Sequence, residues 1–171
     1  MKAALGKFNS AIATAEEAFA IVLFYALLGG VVTQVFTRFV LQSPLPWTEE
    51  FCRYVFVWLS AIGTSIGIRW GSHFVAVDLP GTLTGPVKML VASAVKIGIT
   101  IVALVLLTEG IHLTLEGQNQ VTPILDMQMS WAYGAVPVSG GLMLWHLTMG
   151  LLFGQRSGGL DDLFGLEEGK G

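Results

Sequence analysis

Residues Ala18 to Thr37 read AFAIVLFYALLGGVVTQVFT, and Gln34 is the one strongly polar side chain among them. At the helical rise, about 20 such residues cover the hydrocarbon core of a bilayer, so this run predicts a membrane-spanning helix over about 18–40. Lys2 and Lys7 precede it, as in a secretory leader. A leader's apolar region is shorter and closes on small residues, whereas this run closes on Thr37-Arg38-Phe39-Val40. The expectation is an uncleaved first span.

Downstream, Ser43-Pro44-Leu45-Pro46-Trp47-Thr48-Glu49-Glu50 breaks and restarts the helix. Two prolines end the first span, and Thr48 is placed to cap the second, with Glu49 and Glu50 in its positively polarised first turn. Arg53 follows Glu49 by four residues and Glu50 by three, so a helix puts all three charges on one face, with Trp47 as an interfacial anchor. The second span is predicted over about 51–70. Its Ser60, Gly63, Thr64 and Gly67 form a small-residue face of the kind that lets membrane helices approach closely.

The rest of the chain fits the same solvent. It has 171 residues, 53% of them hydrophobic and 12% charged, which is too apolar for a soluble domain of this size. Residues 69–86 form a polar connection containing Gly71, His73, Asp78 and Pro80. A third span is predicted over about 87–115, with Lys96 snorkelling, and a fourth over about 131–153 with Pro137 and Gly140-Gly141 giving a mild kink. The Gly-rich, acidic stretch 154–171 reads as a polar cytoplasmic tail. The fold class is therefore all-α, one membrane domain over 1–171 with four transmembrane helices. Lys2, Lys7, Arg69, Lys88, Arg156 and Lys170 fall on one side and Arg38 and Arg53 on the other, which predicts both termini inside. The basic residues are dispersed, and nucleic acid is excluded as a partner. Cys52 stands alone and reads as a buried, inert thiol.

The candidate chemistry is sparse. Glu109, His112 and Glu116 lie at i, i+3 and i+7, and Glu-x-x-His is the unit of di-iron helix bundles. Such a site needs a second Glu-x-x-His on another helix plus two further glutamates, and the chain contains only one Glu-x-x-His, so no catalytic, cofactor or metal site is assigned. A haem needs axial ligands at matched depth, and His112 falls near the outer end of the third span while His146 falls toward the inner end of the fourth. His146, alone on an apolar helix, reads as an interhelical hydrogen-bond donor. A self-sufficient transporter would show broken helices with polar groups at mid-membrane, and none is evident. A subunit that positions something else fits the pattern, with a membrane anchor of a respiratory enzyme as the alternative.

From Arg38 onward the chain resembles the small, DctQ-like membrane subunit of TRAP transporters, the tripartite ATP-independent periplasmic family. The match is carried by Arg38-Phe39-Val40, residues Ser43 to Glu50, Arg53, Trp58-Leu59, Gly63, Arg69, Gly71, His73 and Val77-Asp78. It continues with Gln118, Thr122-Pro123, Met127, Trp131, Tyr133 and Pro137. The Pro-Trp-Thr-Glu-Glu run separates it, by resemblance, from the related tripartite tricarboxylate systems.

The resemblance implies a multi-pass protein of a bacterial or archaeal inner membrane, in contact with lipid and with two partners. One is a large permease subunit that carries organic acid together with sodium; the other is a periplasmic substrate-binding protein. The small subunit is then a scaffold without cofactor or catalytic residue. Its interface candidates are Trp47, Glu49, Glu50, Arg53, Gly63, Gly67, Arg69, His73 and Asp78. Substrate choice is expected in the partners.

Overall fold

A computed structural model of the chain describes residues 2–69 and 86–153. The expectations placed on His73, on Asp78 and on the tail 154–171 lie outside the described residues. The elements are α1 (Lys2–Phe39), α2 (Pro46–Arg69), α3 (Pro86–Glu116), a 3-10 turn (Gly117–Asn119), the one-turn helix α4 (Ser130–Tyr133) and α5 (Ala135–Phe153). Among the described residues, three helical stretches are long and apolar enough to cross a membrane: Leu5–Phe39, Pro46–Arg69 and Ser93–Asn119.

Two helix starts differ from the sequence reading. α1 begins at Lys2, well before the apolar run, because the Ala-rich residues ahead of Ala18 continue the helix. α2 begins at Pro46, so Thr48 is a residue of its first turn and not its cap. Pro46 takes the first helical position, where a missing N–H costs no intrahelical bond. The buried Thr48 hydroxyl instead donates back to the Leu45 carbonyl at 2.7 Å. The break itself is a tight turn in which Gln42 takes the left-handed conformation, φ 49°.

The helices form an open row. α2 packs on α1 at one side and on α5 at the other, and α3 packs on the far side of α5, so α1 and α3 are the two flanks. Glycines set the close approaches. A side-chain carbon at Gly140 would lie 2.7 Å from the Leu107 amide nitrogen and 2.8 Å from the Ala103 carbonyl oxygen, which are backbone atoms that cannot turn aside. Gly110 faces Pro137 in the same way. Between α1 and α2 the buried Cys52 thiol sits over Gly30, at 2.6 Å from where a side-chain carbon would be. These contacts do for a membrane protein what water exclusion does elsewhere: dispersion between closely apposed backbones holds the helices together. Pro137 falls in the first turn of α5 and removes no intrahelical hydrogen bond, so the Gly140 position serves packing against α3. A small core of Ile68, Ala103 and Met143, joined by Ile99, Leu106, Leu144 and Leu147, ties α2, α3 and α5 together.

Gly140→Val is expected to destabilise the purified chain in detergent by about 2 kcal/mol, because it forces α3 and α5 apart. The same replacement at Gly141, whose neighbour is the flexible end of Leu107 at 3.9 Å, is expected to cost under about 1 kcal/mol. Thermal unfolding followed by circular dichroism distinguishes the two, and equal losses would show that the close approach is not what Gly140 provides.

Candidate functional site

Two polar clamps cross the row, one toward each end of α2. The first is built on Glu50, which is only 3% exposed. One carboxylate oxygen accepts the Tyr54 hydroxyl at 2.8 Å, one turn along the same helix. The other accepts the backbone N–H groups of Ile124 at 3.1 Å and Leu125 at 2.8 Å. Those amides belong to the connection between α3 and α4, which doubles back on itself. Thr122 donates its N–H to Met127 at 2.8 Å, Met129 donates to Gln120 at 2.9 Å, and the Thr122 hydroxyl accepts the Met127 N–H at 3.0 Å. Asp126 supplies the left-handed residue of the turn, φ 51°, which its short polar side chain tolerates. The turn leaves the Ile124 and Leu125 amides pointing away from the hairpin, and Glu50 takes both. Lower on α2, the Trp58 indole N–H donates to the Trp131 carbonyl at 2.9 Å and fixes α4 against the same helix.

The predicted cluster of Glu49, Glu50 and Arg53 is therefore split. Arg53 reaches Glu49 at 3.2 Å with both side chains well exposed, while Glu50, one residue on, turns inward to the hairpin. An exposed pair of this kind contributes only a few tenths of a kcal/mol, about 0.3–0.5 for the i, i+4 spacing. Trp47 lies at the rim, half exposed, with its ring edge toward Phe51 at 6.3 Å.

The second clamp joins three helices. Glu16 of α1 is buried, and the Ser65 hydroxyl of α2 donates to it at 3.2 Å. His146 of α5 brings its Nε2 to 2.9 Å from one Glu16 oxygen and 3.1 Å from the other. Beside it, Arg69 at the end of α2 pairs with Glu17. Further toward the N-terminus the Trp145 indole donates to Asn9 at 3.1 Å, and Phe8 meets the Trp145 ring edge-on at 5.5 Å. His146 thus makes an interhelical hydrogen bond, and Arg69 binds within the chain through a carboxylate.

Glu16, Ser65 and Asn9 were not singled out by the sequence reading. The signal available was the spacing Asn9, Ala13, Glu16, which recurs on one helical face ahead of the apolar run. Of the small-residue face on α2, a side-chain carbon at Gly63 would meet nothing within 4 Å, and Gly67 is half-buried. The residue of that region that is fully buried is Ser65.

An all-helical chain whose buried carboxylates, Glu16 and Glu50, bind its own helices and connections has the build of a membrane framework. Comparison with known proteins specifies which: residues 27–155 match the tripartite ATP-independent periplasmic transporters, DctQ component. The chain belongs to this family. It is a small TRAP permease subunit, and membership sets aside the respiratory-anchor alternative. The chain is similar to the sialic acid TRAP transporter small permease protein SiaQ of Vibrio cholerae, 24% identical over 131 residues, which cover 77% of this chain and 76% of that one. It is also similar to the sialic acid TRAP transporter permease protein SiaT of Haemophilus influenzae, 22% identical over 136 residues. That match takes 80% of this chain but only 22% of SiaT, so the DctQ-type unit here spans about a fifth of that relative's length. The family match includes the Glu50 clamp and His146, whereas Glu16 lies ahead of it.

Two substitutions test the clamps. Glu50→Ala leaves two amides and a phenol without their acceptor and is expected to cost about 2–4 kcal/mol, with faster hydrogen exchange confined to Ile124 and Leu125 and their neighbours; Tyr54→Phe removes one bond and costs about 1 kcal/mol. His146→Leu alone is expected to cost about 3 kcal/mol by stranding Glu16, and the paired Glu16→Leu/His146→Leu variant to recover much of that loss. Additive losses in the paired variant would argue against a direct Glu16–His146 contact.

Proposed function

We propose that this chain is the non-catalytic scaffold subunit of a binding-protein-dependent uptake system for organic acids. In this reading it spans the cytoplasmic membrane of a bacterium or archaeon four times with both termini inside, α5 being the fourth span. It holds the large permease subunit in place and lends part of its outer surface, the Glu50-clamped hairpin and the rim at Trp47, to docking of the periplasmic substrate-binding protein. Sodium-coupled symport of a carboxylate takes place in the large subunit.

The observation that carries this reading is the family match over residues 27–155. Three further points support it. The SiaT permease contains a unit like this one in about a fifth of its length, which places a much larger permease portion in the same polypeptide. The relatives' names give sialic acid, a sugar acid, as the transported compound, in keeping with a carboxylate class. The buried polar groups of the two clamps are engaged with the chain's own helices, which suits a static framework better than a moving carrier. The orientation rests on the Lys and Arg distribution, and it puts the Glu16–His146 clamp toward the inside and the Glu50 hairpin toward the outside.

A mild-detergent pull-down of the tagged chain from its native membranes is expected to recover one large polytopic permease in stoichiometric amount, identified by mass spectrometry. Deletion of the chain is expected to lower uptake of the acid bound by the cognate periplasmic protein at least tenfold. Recovery of a redox subunit in place of a permease, or full uptake without the chain, would overturn the proposal.

A further inference from the structure

The two flanks of the row are chemically different. α1 exposes a broad apolar face between Glu17 and Arg38, including Ile21, Val22, Phe24, Tyr25, Leu28 and Val32. Tyr25 is the one titratable group between them, and with no Asp, Glu, Lys, Arg or His there the face is matched to lipid tails. α3 also exposes large apolar side chains, among them Ile101, Val102 and Val105, but it interrupts them with Glu109, His112 and Glu116, all exposed. The three share one helical stripe at i, i+3 and i+7. Glu109 lies seven residues, about 10 Å along the helix, before the end of α3 at Glu116. None of the three makes a hydrogen bond or ion pair with a described residue. They line a groove of about 300 Å³ whose remaining walls are Val105, Leu106, Gly110 and Leu113 of α3 and Val136 of α5.

Carboxylates on a lipid-facing surface at this depth are costly, and such groups in membrane helices face protein or water. Every other buried or half-buried carboxylate described above has found a partner: Glu16 in Ser65 and His146, Glu17 in Arg69, Glu50 in Tyr54 and the hairpin amides. The α3 stripe is the one place where the chain leaves acidic groups in an apolar wall with nothing of its own to meet them among the described residues.

We propose that the α3 groove is the seat of an apolar helix of the large permease subunit, and that this helix inserts a lysine or arginine between Glu109 and Glu116. The inference rests on the subunit assignment made above and adds to it the face and the chemistry of the contact. Charge complementarity selects the occupant. A lipid tail offers the carboxylates nothing, whereas a basic side chain on an apolar helix satisfies the groove's two kinds of wall together, its stem on Leu113 and Val136 and its head between the glutamates. His112, between them on the stripe, adds a hydrogen-bonding group to the same contact. The α1 flank is left to lipid.

The test uses the chain co-expressed with its cognate large subunit in intact membranes. A benzoylphenylalanine photo-cross-linker is placed at His112 or Leu113 in the groove, and at Tyr25 or Leu28 on α1. The groove positions are expected to form adducts with the large subunit, mapped by mass spectrometry to a helix carrying Lys or Arg, at least fivefold more than the α1 positions. In parallel, the Glu109→Gln/Glu116→Gln variant is expected to retain at least fivefold less large subunit after detergent extraction, at unchanged membrane level of the chain itself. Adducts from the groove to lipid or to the binding protein, or adducts to the large subunit from α1 alone, would overturn the proposal. So would full retention by the double variant. If the unaltered chain retains no large subunit, the subunit assignment fails; if it retains the subunit while the groove cross-links none of it, only the seat fails.

Discussion

The rest of the molecule depends on one constraint: at a membrane, a backbone N–H or C=O that leaves a helix must be given a partner by the protein. Within the three long spans the helix satisfies this by itself. The connection between α3 and α5 is where it becomes a problem, because Gly117 to Tyr133 reverses direction twice with only single-turn elements. Glu50 resolves it. A carboxylate accepts at several positions, so one side chain at the start of α2 takes two hairpin amides and still holds Tyr54. An amide or hydroxyl there would accept fewer bonds.

The same economy explains the other end. Glu16 hydrogen-bonds to two helices, and Glu17 binds Arg69 beside it. With α2 in the middle of the row, each end of that helix carries a carboxylate contact to an element distant in sequence. Glycine-lined approaches at Gly30, Gly110 and Gly140 then let dispersion act between the backbones. Polar contacts fix which helices meet and in what register, and small residues fix how closely. A framework that is pinned in this way suits a role in which it stays still beside a larger carrier.

The difference between the flanks follows from the open row. A closed bundle would bury the α3 stripe against α1, but α1 packs chiefly on α2, with polar contacts from its start to α5, while α3 packs on α5. The chain thus presents two outward surfaces, one purely apolar and one with charges set in it. Their compositions specify different surroundings, because lipid tails cannot pair a carboxylate and a protein can.

The sequence by itself determined the solvent, the helix class and the family. Those depend on composition, on the length of apolar runs and on the order of short motifs such as Pro-Trp-Thr-Glu-Glu, all of which are local and readable along the chain. It also placed His146 in a hydrogen bond between helices, since a lone imidazole on an apolar helix needs a partner. What it could not give was the partner. Glu49, Glu50 and Arg53 share a helical face by spacing, yet Glu50 leaves that face because two amides 74 and 75 residues away need an acceptor. Arg69 stands among the interface candidates by sequence, yet it pairs with Glu17 of α1. Pro137 and Gly140 are visible in the fourth apolar run, but that the α3 backbone lies against Gly140 is not. Each of these was decided by tertiary structure for one reason. Charge and hydrogen-bond capacity are properties of a residue, but the group that satisfies them is set by which helix lies alongside.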